Sequence, residues 1–357
     1  MEMLNSFGLL LSGNLWATLL NLFSKWIVSY GWAIIVFTIL LKLVLSPLDI
    51  MQRFSSTKQQ RVMAYMQPEI NAINEKYAGD KERINAETNK LYKKYNTGLG
   101  GSCIIMLVTM IVSMVVFFTL YGSIRSYGNE KMYESYKQLD SAYEQTYNKA
   151  TEDYELLPEN EKESISLTDY ATNKAKQAVV EENKALSEKT KWLWVKNVFK
   201  ADKSYVSQFV GLEDYLKHYN ISADSDEGRA ITARYETITS TIVGEGKDSN
   251  GYFGLIIACV LVTLLAQFIS AKTMQQKGQK MNMMNKIMML AMPVAMFIFA
   301  WTSNALFTLY IITNSIMTTL LSFIISLIMK GVGKKDVQKL MKKKATEVVE
   351  YSRNYKK

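Results

Sequence analysis

One histidine, two cysteines and four prolines are all that 357 residues contain of these types. The lone His218 stands without a nearby Cys or Ser motif, and no HExxH, CxxC or Gly-rich phosphate loop occurs anywhere. Cys103 and Cys259 both fall in long apolar runs, where a small thiol packs like any apolar group. Neither has the partners that a disulfide or a metal site needs. The apolar runs hold no carboxylate pair for acid–base work. These gaps argue against an enzyme, assign no catalytic residue and call for no cofactor or metal.

What the chain has instead is contrast. Hydrophobic residues make up 48% and charged ones 21%, and they separate along the sequence rather than mixing. A helix needs about 20 apolar residues to cross a hydrocarbon core of about 30 Å. Runs at 28–48, 103–121, 252–270 and 305–329 meet that length, and a fifth at 286–302 falls slightly short. In lipid their backbones must hydrogen-bond internally, so they are helices. The expected class is an all-α polytopic membrane protein with five transmembrane helices.

Residues 1–25 show no basic leader before their apolar stretch and no small-residue cleavage site. Leu15, Trp16, Leu19, Leu20 and Phe23 recur at helical spacing, which predicts an amphipathic interfacial helix within 1–27. A signal anchor is the alternative.

Charge sets the orientation. Segment 49–102 carries nine Lys/Arg against six Asp/Glu, linker 271–285 three Lys and no acid, and tail 330–357 ten basic residues against three acidic. The long segment 122–251 has 17 basic and 23 acidic residues. Five spans place all three basic regions on one side, as the positive-inside rule requires. The N-terminus and 123–251 then lie outside a bacterial plasma membrane, and the C-terminus lies in the cytoplasm.

Between spans, Pro47 is expected to kink or end the first helix. Residues 50–77 and 80–95, separated by Gly79-Asp80, read as an antiparallel hairpin within a cytoplasmic segment 49–98. Gly98, Gly100 and Gly101 read as a hinge before the span at 102–122. In the exterior segment, Tyr133, Tyr136, Tyr143, Tyr147 and Tyr154 share a helix face, which is more simply a packing seam than a ligand site. A second polar helix is expected at 167–190, followed by Trp192, Trp194 and Phe199 resting on the outer leaflet. Residues 203–250 read only as short helices and loops.

Lys42 is the sharpest signal. A charge at mid-span costs about 2.5–3.5 kcal/mol on insertion scales, so such residues face cavities or substrates. Snorkelling toward Pro47, about 7.5 Å of rise away, is the competing account. With no acid in any other span, Lys42 is expected to lack an internal partner. Thr109 and Ser113 in the second span, and Thr308, Thr313, Asn314 and Thr319 in the fifth, either pack and back-bond or line a wet half-channel. Met281 to Met292 form a Met-dense helix end suited to apolar contact.

These residues carry a resemblance. Gly31-Trp32-Ala33-Ile34-Ile35, Lys42 and Ser46-Pro47-Leu48 are followed by Gln67-Pro68-Glu69-Ile70, Leu91-Tyr92-Lys93-Lys94 and Gly100-Gly101-Ser102-Cys103. Trp192-Leu193-Trp194-Val195, Asp202, Pro293 and Leu309-Tyr310 with Asn314 complete the order. The set resembles the YidC/Oxa/Alb membrane protein insertases over most of 7–127 and 252–333. The intramembrane basic residue is Lys42 where that family typically has Arg. Ile105, Thr109, Ile111 and Ile311 also depart from its pattern.

The resemblance implies a five-helix insertase fold with a hydrophilic groove open to cytoplasm and lipid and sealed outside. Its implied lining is Lys42, Thr109, Ser113 and Asn314, and its implied partners are nascent membrane proteins and the lipid bilayer. Lys334, Lys335, Lys339 and Lys342 in the tail suit either ribosomal RNA or anionic lipid. The Sec translocon stays an open partner, and nothing points to DNA. Two rivals remain on residues alone: an anion transporter or channel using Lys42, and a scaffold acting through 123–251.

Overall fold

The computed structural model describes residues 13–94, 99–244, 248–274 and 283–328. These are helical apart from loops and one isolated bridge between Trp192 and Val195. The helices are α1 (Gly13–Trp26), α2 (Tyr30–Lys76), α3 (Lys81–Lys94), α4 (Leu99–Glu155), α5 (Glu159–Lys162) and α6 (Leu167–Thr190). They continue with α7 (Leu212–His218), α8 (Asp226–Val243), α9 (Gly254–Met274), α10 (Met283–Thr302) and α11 (Ala305–Ile328). α2, α4, α9 and α11 are long and apolar enough to cross a membrane, and Leu290–Thr302 is a shorter apolar helix. The protein is an all-α polytopic membrane protein.

Pro47 does not end the first span. Proline has no N–H to give the carbonyl four residues back, here that of Leu43. Ser46 Oγ donates to that oxygen at 2.7 Å, so the loss is made good inside the helix and α2 runs on through Pro68 to Lys76. The helix that holds the second apolar run does not stop near 121 either. No proline interrupts 99–155, and α4 continues unbroken for 57 residues from an apolar half into a polar half. Gly100 and Gly101 lie inside α4 rather than in a hinge, while Gly98 falls outside the described residues.

The chain divides into two compact units. The first comprises Met1–Thr38, Phe118–Leu261 and Val294–Thr313. Here α1 buries Trp16 and Leu20, and Trp16 and Phe23 both meet the Phe37 ring edge-on. Of the Trp192, Trp194 and Phe199 patch, Phe199 is buried, Trp192 half-buried and Trp194 exposed. Phe199 is buried against Tyr30, with ring centroids 4.8 Å apart, and packs on Tyr127 as well. Trp192 lies over Gly31 so closely that an added Cβ would come within 2.3 Å of its ring. Trp194 lies over Gly254 and donates its indole N–H to Asp202 at 3.0 Å.

Asp202 ties the ends of several elements together. Its carboxylate accepts from the backbone N–H of Tyr252 (2.8 Å) and of Leu255 (2.6 Å), capping α9 from outside the helix. Asn250 Nδ2 donates to the carbonyls of Asn197 and Ala201, and Asn304 Oδ1 caps α11 by accepting from Phe307 N–H. Leu306 N–H and Ala305 N–H donate to the carbonyls of Val198 and Lys200.

The tyrosine seam packs, as the simpler reading holds. Tyr136 meets Tyr215 and Tyr235, Tyr133 stacks on His218, Tyr143 on Tyr147, and Tyr154 packs on Tyr170. Arg234 of α8 grips Asp140 of α4 with two parallel hydrogen bonds of 2.8 and 2.9 Å. That fork holds the guanidinium above its ordinary pKa. Segment 203–250 contains α7 and the 18-residue α8, more helix than the sequence shows.

The second unit comprises Ile39–Phe117, Val262–Pro293 and Asn314–Lys357. The end of α2 folds back on α3 through Met66 and Leu91, with Ile70, Ile73 and Tyr92 around them. Gly79 makes the turn at φ +96°, a left-handed geometry that suits glycine, and Asp80 Oδ1 caps α3 by accepting from Arg83 N–H.

Candidate functional site

The site is built on α2, where the sequence first becomes charged inside an apolar helix. Lys42 reaches along the helix toward its C-terminal end and meets Asp49, with Nζ 2.6 Å from Oδ2. Residues seven apart lie on one helix face, separated by about 10.5 Å of rise. A long lysine stem extended forward and an aspartate leaning back can just close that gap. Both side chains are largely enclosed, with 14% and 17% of their surface accessible. The contact is an ion pair and not an aligned hydrogen bond, since the buried Asp49 Oδ2 accepts none of acceptable angle.

Lys42 is therefore not the unpartnered charge that the sequence implies. Its counter-ion lies beyond Pro47 on the same face, where a search confined to the spans does not look. Arg53, one turn further on, is within Coulombic range of Asp49. The result is a basic–acidic–basic stripe along one face of α2. A period of 3.6 applied across Pro47 is the signal that would have found Asp49 and Arg53.

Lys42, Thr109, Ser113 and Asn314 all fall in the second unit. Thr109 is buried, at 4% exposure, and Ser113 one turn later on the same face of α4 is exposed. Asn314 is half-buried on α11. The shared unit, and the shared face of Thr109 and Ser113, are the extent to which the structure gathers these four. Many other hydroxyls in the apolar helices serve their own backbone: Thr38 Oγ1 donates to the Ile34 carbonyl at 2.6 Å, Thr308 to Asn304 at 3.2 Å and Thr319 to Ser315 at 2.8 Å. Each spends its proton on the helix, and only the oxygen lone pairs stay free to face water. From Met283 on, the Met-dense stretch forms the start of α10, with Met292 exposed, and the basic tail falls outside the described residues.

The sequence profile of the 60Kd inner membrane protein family matches residues 22–332. The chain belongs to that family. The match runs from within α1 to beyond α11, so the charged stripe on α2 lies well inside it. Among relatives of this family member, the "Membrane protein insertase YidC" of Nitratidesulfovibrio vulgaris is 41% identical over 107 residues, which is 30% of this chain and 18% of that protein. The protein of the same name from Fusobacterium nucleatum is 36% identical over 110 residues, 31% of this chain and 50% of its own length. That of Clostridium tetani is 38% identical over 90 residues, 25% and 39% of the two lengths. The aligned part of the chain thus spans between about a fifth and a half of these relatives. Family and apolar helices together make this a multi-pass protein of the bacterial inner membrane.

Proposed function

We propose that this family member is a membrane protein insertase and chaperone. The observation that carries the reading is Lys42, a cation enclosed within an apolar helix of a chain whose relatives are named insertases. A nascent chain's polar tail or loop enters a groove from the cytoplasm, drawn by Lys42, while Thr109, Ser113 and Asn314 keep it hydrated. The apolar segment beside it then leaves sideways into lipid, and its transfer to hydrocarbon drives the step. Neither ATP nor a covalent intermediate is needed.

In this scheme the N-terminus is outside and the C-terminus cytoplasmic. The hairpin formed by the end of α2 and by α3 receives the client. The basic tail touches ribosomal RNA or anionic lipid, and docking to the Sec translocon is compatible with the same topology.

The test uses cells depleted of their own insertase and a reporter whose short acidic tail must cross the membrane. Tail translocation is read by protease protection. Wild type and Lys42→Arg are expected to translocate it, with Lys42→Ala weakened and Lys42→Glu inactive. If all three variants match an active wild type, Lys42 only snorkels and the groove chemistry is wrong. If wild type itself leaves the tail uncrossed, general insertase activity is refuted.

A further inference from the structure

Among the described residues, Asp49 is the acid in direct ion-pair contact with Lys42, and it reaches that lysine from the same helix. A lone ammonium enclosed in an apolar helix is costly, and a neutral pair held in place is far less so. The resting site is thus already occupied, with a carboxylate of the chain itself where an acidic client group would bind. We propose that Asp49 is an internal competitor for Lys42, exchanged for a client carboxylate on entry and recaptured on exit. The inference rests on the insertase reading and adds to it a residue that sets which tails are held and for how long.

Three features support exchange rather than a permanent lock. The contact lacks hydrogen-bond alignment, so Lys42 keeps donors that a client carboxylate can engage in better geometry. Asp49 also lies within range of Arg53, and so has a second cation to turn to when Lys42 is taken. Finally, all three charges ride on one continuous helix, so the swap needs rotamer changes and no movement of the backbone.

The consequence is a filter. While Asp49 stays, a tail with an amide and a tail with a carboxylate compete on nearly level terms, because the carboxylate must first evict its like. Removing the charge at 49 should favour acidic tails strongly and slow their release.

The experiment compares two reporters identical except for two Asp or two Asn residues in the translocated tail. Each carries a photoreactive group in that tail, and crosslinking to the full-length protein in proteoliposomes measures occupancy. Asp49→Asn is expected to raise the acidic-to-amide crosslinking ratio about fivefold or more, within the range of couplings between contacting charges. Asp49→Glu should stay near wild type. In a Lys42→Gln background, adding Asp49→Asn should change nothing, and that double variant, with neither charge, also controls for folding. An unchanged ratio in Asp49→Asn, or the same rise with Lys42 already neutral, overturns the proposal. Protease protection in the same vesicles reports separately on insertion, so failure of wild type there counts against the insertase reading, while the crosslinking ratio still scores Asp49.

Discussion

Replacing Asp202 by alanine should loosen the joint where the loop at 191–203 meets the start of α9. The carboxylate is 1% exposed and accepts three hydrogen bonds, from Trp194 Nε1, Tyr252 N–H and Leu255 N–H. Loss of the cap on α9 costs about 1–2 kcal/mol. Each of the other two donors, left unpaired in a part-buried place, adds about 1–2 kcal/mol, the lower part of the usual range. Because these terms overlap, the expected total is about 4 kcal/mol, near the top of the range for single substitutions. In a chain of this size that lowers the melting temperature by roughly 5 °C. Asp202→Asn keeps one acceptor but turns an amide toward a donor, so its loss should be about half as large. Thermal unfolding in detergent, followed by tryptophan fluorescence, reads both, because Trp194 sits on the broken contact. A shift under about 3 °C for Asp202→Ala would show that the joint holds without its carboxylate, and the capping argument would fall.

Arg234→Met should cost about 3 kcal/mol, because it strands Asp140, which has 11% of its side chain accessible, without its fork. Adding Asp140→Leu should recover most of that loss in the same melting assay, and a double variant less stable than the single one would refute the account. Alkaline pH should weaken the first unit. Burial, then the charge of Asp140, raises the Tyr215 phenol above its ordinary 10, and burial with Asp248 does the same for Tyr235. A raised folded-state value means that the neutral phenols stabilise the fold fully below about pH 10 and lose that contribution as the pH climbs through the folded values. Tyr235 also loses the proton it donates to the Val210 carbonyl at 2.7 Å. Stability that stays flat from pH 8 to 11.5 by circular dichroism would contradict this.

The helical, membrane-crossing character of the chain was legible because it depends on local quantities. Run length against bilayer thickness and backbone self-satisfaction in lipid need no knowledge of neighbours. α6 could be read as 167–190 for the same reason: its polar helical stretch is locally consistent, and Ser166 accepts from Asp169 N–H to begin it. Lys42 stood out since one charge in an apolar run is visible in one dimension.

What the sequence did not decide turns on partners distant in the chain or across a presumed break. Pro47 looked like a stop until Ser46 was seen to satisfy the Leu43 carbonyl, a compensation that depends on one rotamer. Lys42 looked unpaired because its counter-ion lies seven residues on, beyond that same proline. The aromatic patch at 192–199 reads in sequence as one surface, yet Tyr30 and Tyr127 cover Phe199 while Trp194 packs over Gly254 and stays exposed. Composition determines that these side chains must leave water. Only tertiary structure decides whether lipid or protein receives them, because both are apolar and the difference lies in shape.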